Sequence, residues 1–322
     1  MWPLIKFLPA KTNFRYVAFA PVLGGMSVLA CLASIFLTLV PFQPPCGGLN
    51  CGVDFQGGTL IELSTKGEQV DLARLRSALS SEGVGDVQVQ AFGNRNAAMV
   101  KFETPAGENA AAIAERVKVA ITASLGEVTF DRSEVVGPQV SNELLWKGAL
   151  ALLFGVLLML VYIWFRFGLI FGLGAIIALI NDVILTFGLF AVTNMEFTLV
   201  AVGSILTIIG YSINDKIVVL DRVRENLRKF KKMPMGDLID LSVNETLART
   251  IITGTTGLMA LGVMAFFGGE ALFAFSVAMA FGIVIGTFSS IYIAAPILLL
   301  LGIGQRDAAA AKPGEEGMAQ LP

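Results

Sequence analysis

Six long apolar runs dominate the sequence and limit the kind of fold that it can adopt. They are Val17–Leu39, Leu150–Phe165, Leu169–Val192, Thr198–Leu220, Thr250–Phe267 and Leu272–Leu301. A helix of roughly 20 apolar residues crosses the hydrocarbon core of a bilayer. Hydrophobic residues make up 55% of the chain and charged residues only 15%, which is typical of an integral membrane protein. We therefore expect an α-helical integral membrane protein with six spanning helices.

The first run, Val17–Leu39, is interpreted as a membrane helix and not as a cleaved signal peptide. It is longer than the roughly 7–15 residues of a signal-peptide core, and no A-x-A-like cleavage site follows it. Lys6, Lys11 and Arg15 precede this run, and basic residues concentrate in cytoplasmic segments. The chain is therefore predicted to enter the membrane from the cytoplasm.

The charges in the other loops predict the same orientation. Arg166 follows the second run, whereas Glu196 and Glu270 lie in loops expected on the outer side, and Lys147 is a lone contrary charge. A basic cluster follows the fourth run at Arg222, Arg224, Arg228, Lys229, Lys231 and Lys232. Beside a membrane span, such a cluster favours contact with anionic membrane lipid over nucleic acid.

Residues 43–142 differ from the rest, because they lack long apolar runs and carry turn signals. Alternating or short apolar patterns predict strands at Leu60–Leu63, Val87–Ala91, Ala98–Phe102 and Glu127–Asp131, with a turn at Gly93–Asn96. Helical spacing of Leu72, Leu75 and Leu79, capped by Asp71, and of Ile113, Val117 and Ile121 predicts two helices. The order βαββαβ predicts a ferredoxin-like α+β domain outside the membrane.

These predictions divide the chain into five segments. They are a cytoplasmic N-terminus (1–16), the first membrane helix (17–39), a periplasmic domain (43–142), membrane helices two to six (146–302) and a disordered cytoplasmic tail (303–322).

Two of the three cysteines bracket a glycine-rich loop. Cys46 and Cys51 enclose it on the side that we predict to be external, where a disulfide is chemically allowed. Two free thiols are an equally good interpretation of this pattern. Cys31 lies in the first apolar run and is interpreted as a small packing residue.

The most unusual feature of the fourth run is a carboxylate inside the membrane. Ser204, Thr207, Tyr211 and Asp215 follow one another at spacings of three and four, so they share one helix face. We call this face the polar seam; Asn214 lies beside it. An ionisable residue inside a membrane span is a functional hypothesis by default. The seam favours a proton pathway ending at Asp215, and the alternative is a static salt bridge.

The partner of Asp215 is a separate question. Lys216 is rotated by about 100° from Asp215 on the helix and is expected to extend to the cytoplasmic interface. Arg249, at the start of the fifth run, is drawn into the membrane and faces Asp215 if its helix begins near Asn244. An interfacial anchor is the other interpretation of Arg249. Asp182, in the third run, is balanced between a proton-pathway role and a structural one.

Small residues recur on the sixth run. Ala278, Gly282, Gly286 and Ser290 are spaced every four residues, which predicts close helix packing. The spacing leaves open whether the packed partner belongs to this chain or to another.

Several function classes lack their sequence signals. The chain has no histidine, so a serine–histidine triad in its usual form is excluded. It also lacks a phosphate-binding P-loop and the spacings of known metal sites, so we expect no cofactor, no metal and no nucleotide hydrolysis. The chain is thus interpreted as not being an enzyme.

Five motifs together resemble the SecD/SecF protein-export family, which belongs to the RND superfamily. They occur in matching order as GVDFQGGT (Gly52–Thr59), VGPQV (Val136–Val140), IGYSINDKIVVLDRVREN (Ile209–Asn226), ARTIITGTT (Ala248–Thr256) and IGTFSSIYIA (Ile285–Ala294). The motif residues outside the membrane runs are Gly52, Asp54, Phe55, Gly57, Gly58, Thr59, Gly137 and Pro138.

The resemblance implies a function and a set of partners. It implies a six-helix half of an RND-type bundle in the bacterial inner membrane, which pairs with SecD and acts with the SecYEG channel and YajC on a translocating preprotein. Protons would be the coupling ion for a late, ATP-independent stage of export. The functional aspartate and arginine of the family match Asp215 and Arg249. Some relatives carry a histidine where this chain has Asn181, so a histidine relay cannot apply here.

Two other functions remain open on the residues alone. The first is a scaffold that assembles the export machinery without working as a motor. The second is an RND-like exporter of small molecules, although a domain of about 100 residues is small for the pocket that this requires.

Overall fold

The computed structural model describes residues 12–42, 46–66, 69–80, 87–91, 96–102 and 110–302. The predicted tail 303–322 and most of the cytoplasmic N-terminus therefore lie outside the described residues, as does most of the turn predicted at Gly93–Asn96.

Within the described residues, six helices are long and apolar enough to cross a membrane, in agreement with the predicted number of spans. From the first to the sixth they are Tyr16–Leu39, Gln139–Gly168, Phe171–Thr193, Leu199–Lys229, Met235–Phe267 and Leu272–Leu300. A kink at Gly168 separates the second span from the third, because its φ of 74° and ψ of 177° are not helical. A positive φ is sterically accessible to glycine at little cost, so Gly168 marks the turn between them.

The fourth and fifth spans extend further than their apolar runs. The connection that we predicted at Asp221–Arg249 is mostly helix, because the fourth span continues to Lys229 and the fifth begins at Met235. Charged residues here pair along the helix, as Lys229 does with Glu225 at 2.6 Å. Apolar content alone therefore placed the helix ends too early. As a consequence, Arg249 lies well inside the fifth span and not in its first turn.

The external domain has the predicted ferredoxin-like topology. Its strands are β1 (Gly58–Thr65), β2 (Val87–Ala91), β3 (Ala97–Phe102) and β4 (Val128–Val136), and its helices are Val53–Gln56, Leu72–Ser80 and Ala110–Leu125. The antiparallel sheet has the order β2-β3-β1-β4. β4 is longer than predicted and pairs with β1 from Val128 to Val136 across one register shift.

One hydrophobic core holds this domain together. The apolar faces of helices Leu72–Ser80 and Ala110–Leu125 contribute the buried residues Leu75, Leu79, Ile113, Val117 and Ile121. They pack on alternate residues of the sheet, among them Ile61, Leu63, Val89, Val100 and Phe102. The Asp71 carboxylate accepts hydrogen bonds from the backbone N–H groups of Ala73 and Arg74, both at 3.0 Å, which is the predicted N-cap.

Carboxyl groups surround one guanidinium in the external domain. Arg132 contacts Glu134 at 2.6 Å and Glu62 at 3.3 Å. Burial raises the pKa of Glu62 above its ordinary value, and burial likewise raises the pKa of Glu196, against the opposing charges of Lys101 and Arg132. These carboxyl groups therefore hold their protons more tightly in the folded domain than in the unfolded chain.

The chain divides into two compact units. One comprises residues 41–152 and 194–202, and the other contains the remaining membrane segments. Within the second unit, the small-residue stripe of the sixth span packs on the fourth: Gly282 approaches Ile208, and Gly286 approaches Ser212. The packed partner left open by the sequence thus belongs to this chain.

The sixth span is not a uniform α-helix. Residues Ser290–Ala294 form a π-helical turn between helices Gly269–Ser289 and Ala295–Leu300. A Cβ atom on Gly174 of the third span would lie 2.6 Å from the backbone oxygen of Ala294. The third span therefore lies so close to this turn that position 174 has no room for a side chain larger than that of glycine.

We predict that Gly174→Ala destabilises the membrane bundle by about 1–3 kcal/mol, because the new methyl group overlaps a backbone atom that cannot move aside alone. The free energy of unfolding, measured by sodium dodecyl sulfate titration in detergent micelles, tests this. Gly262→Ala is the matched control, since its methyl group would meet no atom within 4 Å. Equal stability of the two variants would contradict the close approach.

We predict that Glu196→Gln reduces the pH dependence of the external domain's stability. A carboxyl group with a raised pKa costs stability progressively as pH rises from the unfolded pKa, about 4.3, through the folded pKa. Hydrogen exchange of the β-sheet amides should therefore accelerate less between pH 4 and 7 in Glu196→Gln than in the unmodified chain. Glu127→Gln, at an exposed ion pair with Lys66, is the control; identical pH profiles in all three proteins would refute this expectation.

Candidate functional site: a charged network between membrane helices

A buried ion pair joins the third and fourth membrane spans. The Lys216 ammonium contacts the Asp182 carboxylate at 2.6 Å, and the side chains are 0% and 1% exposed. Our prediction that Lys216 extends to the cytoplasmic interface is therefore wrong. The rotation of 100° that separates Lys216 from Asp215 points the lysine towards the third span, where Asp182 supplies a closer compensating charge than the interface does.

The ion pair uses every hydrogen-bonding position of the lysine. An ammonium group has three N–H donors, and those of Lys216 reach Asp182, Ser212 at 2.5 Å and Ser289 at 2.9 Å. Both hydroxyl groups also donate to the Asp182 carboxylate, Ser212 at 2.5 Å and Ser289 at 3.0 Å. This saturated network ties together the third, fourth and sixth spans, and Ser289 directly precedes the π-helical turn.

Asn181 extends the network to the first span. Its side-chain amide donates to Asp182 at 3.4 Å, while its oxygen accepts from Ser27 at 2.6 Å and lies 3.2 Å from the Cys31 sulfur. Asn181 is thus a neutral amide that links the first and third spans. Cys31 is a free, half-buried thiol, in agreement with a packing role.

Asp215 lies beside this network but faces a different neighbour. Its side chain is 4% exposed and accepts a hydrogen bond at 3.2 Å from Thr287 of the sixth span. A carboxylate offers about four acceptor positions, so Asp215 retains acceptor capacity that Asp182 has used. Asp182 and Asp215 therefore differ in the number of hydrogen bonds that their carboxylates can still accept.

Arg249 does not pair with Asp215. No ion pair within 4.0 Å joins these two residues, both of which the structure describes. Arg249 is exposed and lines a cavity of about 610 Å³ between the fourth and fifth spans, together with Asn214. The structure therefore shows no direct ion pair between Arg249 and Asp215, although the charge of Arg249 is close enough to act on the Asp215 carboxylate.

Two hydroxyl groups of the polar seam, those of Thr207 and Tyr211, donate to backbone carbonyl oxygens. Thr207 donates to the Gly203 carbonyl oxygen of its own helix at 2.8 Å. Tyr211 donates across to the Thr253 carbonyl oxygen of the fifth span at 3.1 Å. These two residues therefore join helices or satisfy the backbone, and neither donates to Asp215.

The motif Gly52–Thr59 holds the first turn of the fourth span. The Asp54 carboxylate accepts a hydrogen bond from the Leu199 backbone N–H at 2.9 Å. A carboxylate at this position complements the unpaired N–H groups and positive dipole of a helix N-terminus. The Phe55 and Phe197 rings lie 5.8 Å apart between centroids, and the Gly52 N–H donates to the Phe197 carbonyl oxygen at 3.1 Å.

The remaining motif residues shape the same segment. A Cβ atom on Gly52 would lie 2.6 Å from the Thr198 methyl group, so the loops fit only without a side chain there. Gly57 and Gly58 have φ angles of 77° and 112° and lead into β1, where Thr59 is fully buried. A disulfide joins Cys46 to Cys51 just before the motif. Gly137 precedes the second span, whose helix begins at Pro138.

The match to known proteins decides the family. A family model described as protein export membrane protein SecD/SecF, C-terminal, matches residues 116–303. The chain belongs to the SecD/SecF protein-export family. Curated relatives agree: a protein translocase subunit SecF of Rickettsia felis is 41% identical over 302 residues, covering 93% of this chain and 95% of that protein. A subunit of the same name from Rhodobacter capsulatus is 39% identical over 313 residues, covering 93% and 92%.

A solved structure shows the same fold within a longer SecD/SecF chain. SecDF from Thermus thermophilus, described as a translocon-associated membrane protein, has 30% sequence identity and a TM-score of 0.78. The match covers 94% of this chain but only 40% of the Thermus chain. The six-span bundle with an external α+β domain is therefore the fold of one part of a larger SecDF architecture.

The sequence placed Asp182, Asp215 and Asn181 in the membrane. It did not reveal that Ser212 and Ser289 bind Lys216 or that Thr287 binds Asp215. Ser212 lies four residues before Lys216, so helical spacing alone offered that contact. Ser289 and Thr287 come from another span, and no local signal identifies them as partners. In the part of the chain that the structure describes, no group of three His, Cys, Asp or Glu side chains could hold a metal ion.

We predict that Lys216→Met destabilises the protein by about 3–5 kcal/mol, because it leaves the buried Asp182 carboxylate without its counter-charge. The double variant Lys216→Met/Asp182→Leu should recover most of this loss, since the uncompensated charge is removed as well. Unfolding in detergent micelles provides the measurement.

Lys147→Met is the matched control for this experiment. Lys147 also pairs with a carboxylate, Glu143, but these side chains are 69% and 60% exposed, so little change in stability is expected. A loss in Lys216→Met no larger than that in Lys147→Met would show that the buried pair contributes nothing specific.

Proposed function

We propose that this chain is the SecF-type half of a proton-driven export motor. Together with a SecD partner it promotes the late, ATP-independent movement of preproteins across the bacterial inner membrane. Its curated relatives carry the name protein translocase subunit SecF, and the chain matches 40% of a SecDF chain, which leaves room for the SecD half.

The observation that carries the proposal is the contrast between two buried carboxylates. Asp182 is saturated by Lys216 and two hydroxyl groups, so it serves as a fixed counter-charge. Asp215 has one neutral hydrogen-bond donor, Thr287, at 3.2 Å, and is the proton-binding group in this proposal. A buried carboxylate with spare acceptor positions can alternate between charged and neutral forms as its surroundings change.

Arg249 and Asn214 take an indirect part in this mechanism. Both line the 610 Å³ cavity between the fourth and fifth spans, which offers a route for water towards Asp215. Arg249 supplies a positive charge there that favours the ionised carboxylate after proton release. Tyr211 holds the fourth span to the fifth, and Thr207 satisfies the backbone of its own helix. Protons are the coupling ion.

The fourth span is the element that transmits the proton step. It is one helix from Leu199 to Lys229, with Asp54 bound to its first N–H group and Asp215 in its interior. One elementary charge crossing 100 mV supplies about 2.3 kcal/mol, which is sufficient to bias a two-state movement. A shift of this helix on proton binding would thus reach the segment that carries the family motif.

The proposal includes a location and a set of partners. Both termini lie in the cytoplasm and the external domain in the periplasm, as the basic loops suggest. The chain acts beside the SecYEG channel and YajC on an emerging preprotein, and it hydrolyses no nucleotide. The energy comes from the proton gradient alone.

A scaffold without motor activity is the second candidate function. It is favoured by one observation, the saturated ion pair of Lys216 and Asp182, because such a pair is well suited to fixing helix positions. In this alternative Asp215 also has a purely structural role.

We predict that Asp215→Asn abolishes the stimulation of export by the proton gradient while the complex with SecD still assembles. Asparagine keeps the size and can accept from Thr287 but cannot bind and release a proton. The measurement is the rate of late-stage translocation in membrane vesicles with and without a gradient, together with co-purification of SecD.

Asp237→Asn serves as the control, because Asp237 is an exposed carboxylate in the first turn of the fifth span. It should leave the gradient response unchanged. A normal response in Asp215→Asn with intact assembly would reject the motor and favour the scaffold.

A further inference from the structure

A second charged cavity lies at the basic end of the fourth span, away from the proton site. Its volume is about 450 Å³. Six side chains line it, and all of them are charged: Arg166, Asp221, Arg224, Glu225, Arg228 and Lys229. The last turn of the second span supplies Arg166, and the fourth span supplies the others. Nothing in the proposed export mechanism uses this cavity.

The charges lining the cavity do not balance. Arg166 pairs with Asp221 at 2.6 Å, and Lys229 pairs with Glu225 at 2.6 Å. Arg224 and Arg228 make no ion pair with any carboxylate of the described residues. They are four residues apart and so lie on one face of the helix. Two guanidinium groups with free donors therefore face the same space, which is the arrangement that binds a phosphate group.

The rest of the basic cluster is directed elsewhere. Arg222 pairs with Glu245 and Glu225, both at 2.6 Å, on the side of the fifth span. Lys231 and Lys232 follow the end of the helix and do not line the cavity. Of the basic segment that follows the fourth apolar run, only Arg224, Arg228 and Lys229 therefore line the cavity.

The surface beside the cavity is apolar and exposed. Trp164 and Phe165, just before Arg166, are 56% and 90% exposed, and Arg166 lies 5.1 Å from the Phe167 ring centroid. Further up the second span, Leu158 and Val161 are 69% and 56% exposed. Aromatic residues of this kind sit at the level of lipid headgroups, so an acyl chain can follow the second span from the cavity into the membrane.

We propose that this cavity binds the phosphate group of an anionic phospholipid, with Arg224 and Arg228 as its principal ligands and Arg166 at its edge. The apolar face of the second span contacts the acyl chain of the same molecule. A lipid fits better than a soluble phosphate, because the charged cavity adjoins a membrane-facing apolar surface that a soluble anion would leave unused. Basic pockets next to membrane helices recognise anionic headgroups in this way.

Native mass spectrometry of the full chain in detergent, titrated with phosphatidylglycerol or with phosphatidylcholine, tests the proposal. The unmodified chain should retain phosphatidylglycerol in preference to phosphatidylcholine. Arg224→Gln/Arg228→Gln should weaken the retention of phosphatidylglycerol about tenfold, since two charge-assisted hydrogen-bonding groups are lost. Lys231→Gln/Lys232→Gln, which removes the same charge outside the cavity, should change it less than about twofold.

Two results would overturn the proposal. An equal loss in both double variants would mean that lipid is attracted by net charge and not by a site. Displacement of phosphatidylglycerol by inorganic phosphate at equal concentration would identify the ligand as a soluble anion. Lipid retention is measured without a proton gradient, so the outcome is independent of the export mechanism.

Discussion

The ion pair between Lys216 and Asp182 is the interaction on which the membrane part of this protein depends. The hydrocarbon core offers no water to solvate a charge, so each buried ion needs a partner and hydrogen bonds in the protein itself. Here the pair also forms hydrogen bonds with the hydroxyl groups of Ser212 and Ser289. These bonds fix the third, fourth and sixth spans relative to one another. Glycine residues in the third and sixth spans let these helices pack closely, which brings Asp182, Lys216 and Ser289 within hydrogen-bonding distance.

The same pair defines the role left for Asp215. Adjacent residues on one helix point in directions that differ by about 100°, so Lys216 and Asp215 meet different helices although they are neighbours in sequence. Lys216 enters a saturated network, while Asp215 has a single hydroxyl donor from Thr287. In a membrane a carboxylate with unused acceptor positions is the group that can respond to a proton, and this asymmetry supports the proposed motor.

The fourth span connects features that would otherwise be unrelated. Its first turn is held by Asp54 of the family motif, its interior carries Asp215, and its basic end carries Arg224 and Arg228. A rigid helix transmits a displacement along its axis without new contacts, which is why one element can serve several sites. The family motif therefore has a structural role: the hydrogen bond from the Leu199 N–H to Asp54 holds the motif segment at the start of the fourth span.

The sequence by itself determined the six spans, the ferredoxin-like order of the external domain and the presence of carboxylates in the membrane. Hydropathy and the periods of helix and strand are local properties, so they can be read without knowing the fold. Only the tertiary structure decided which charges meet. It paired Lys216 with Asp182, separated Arg249 from Asp215 and gave the small residues of the sixth span their partner. Helical spacing identifies the residues on one face, but which helix packs against that face is set by contacts between residues far apart in sequence.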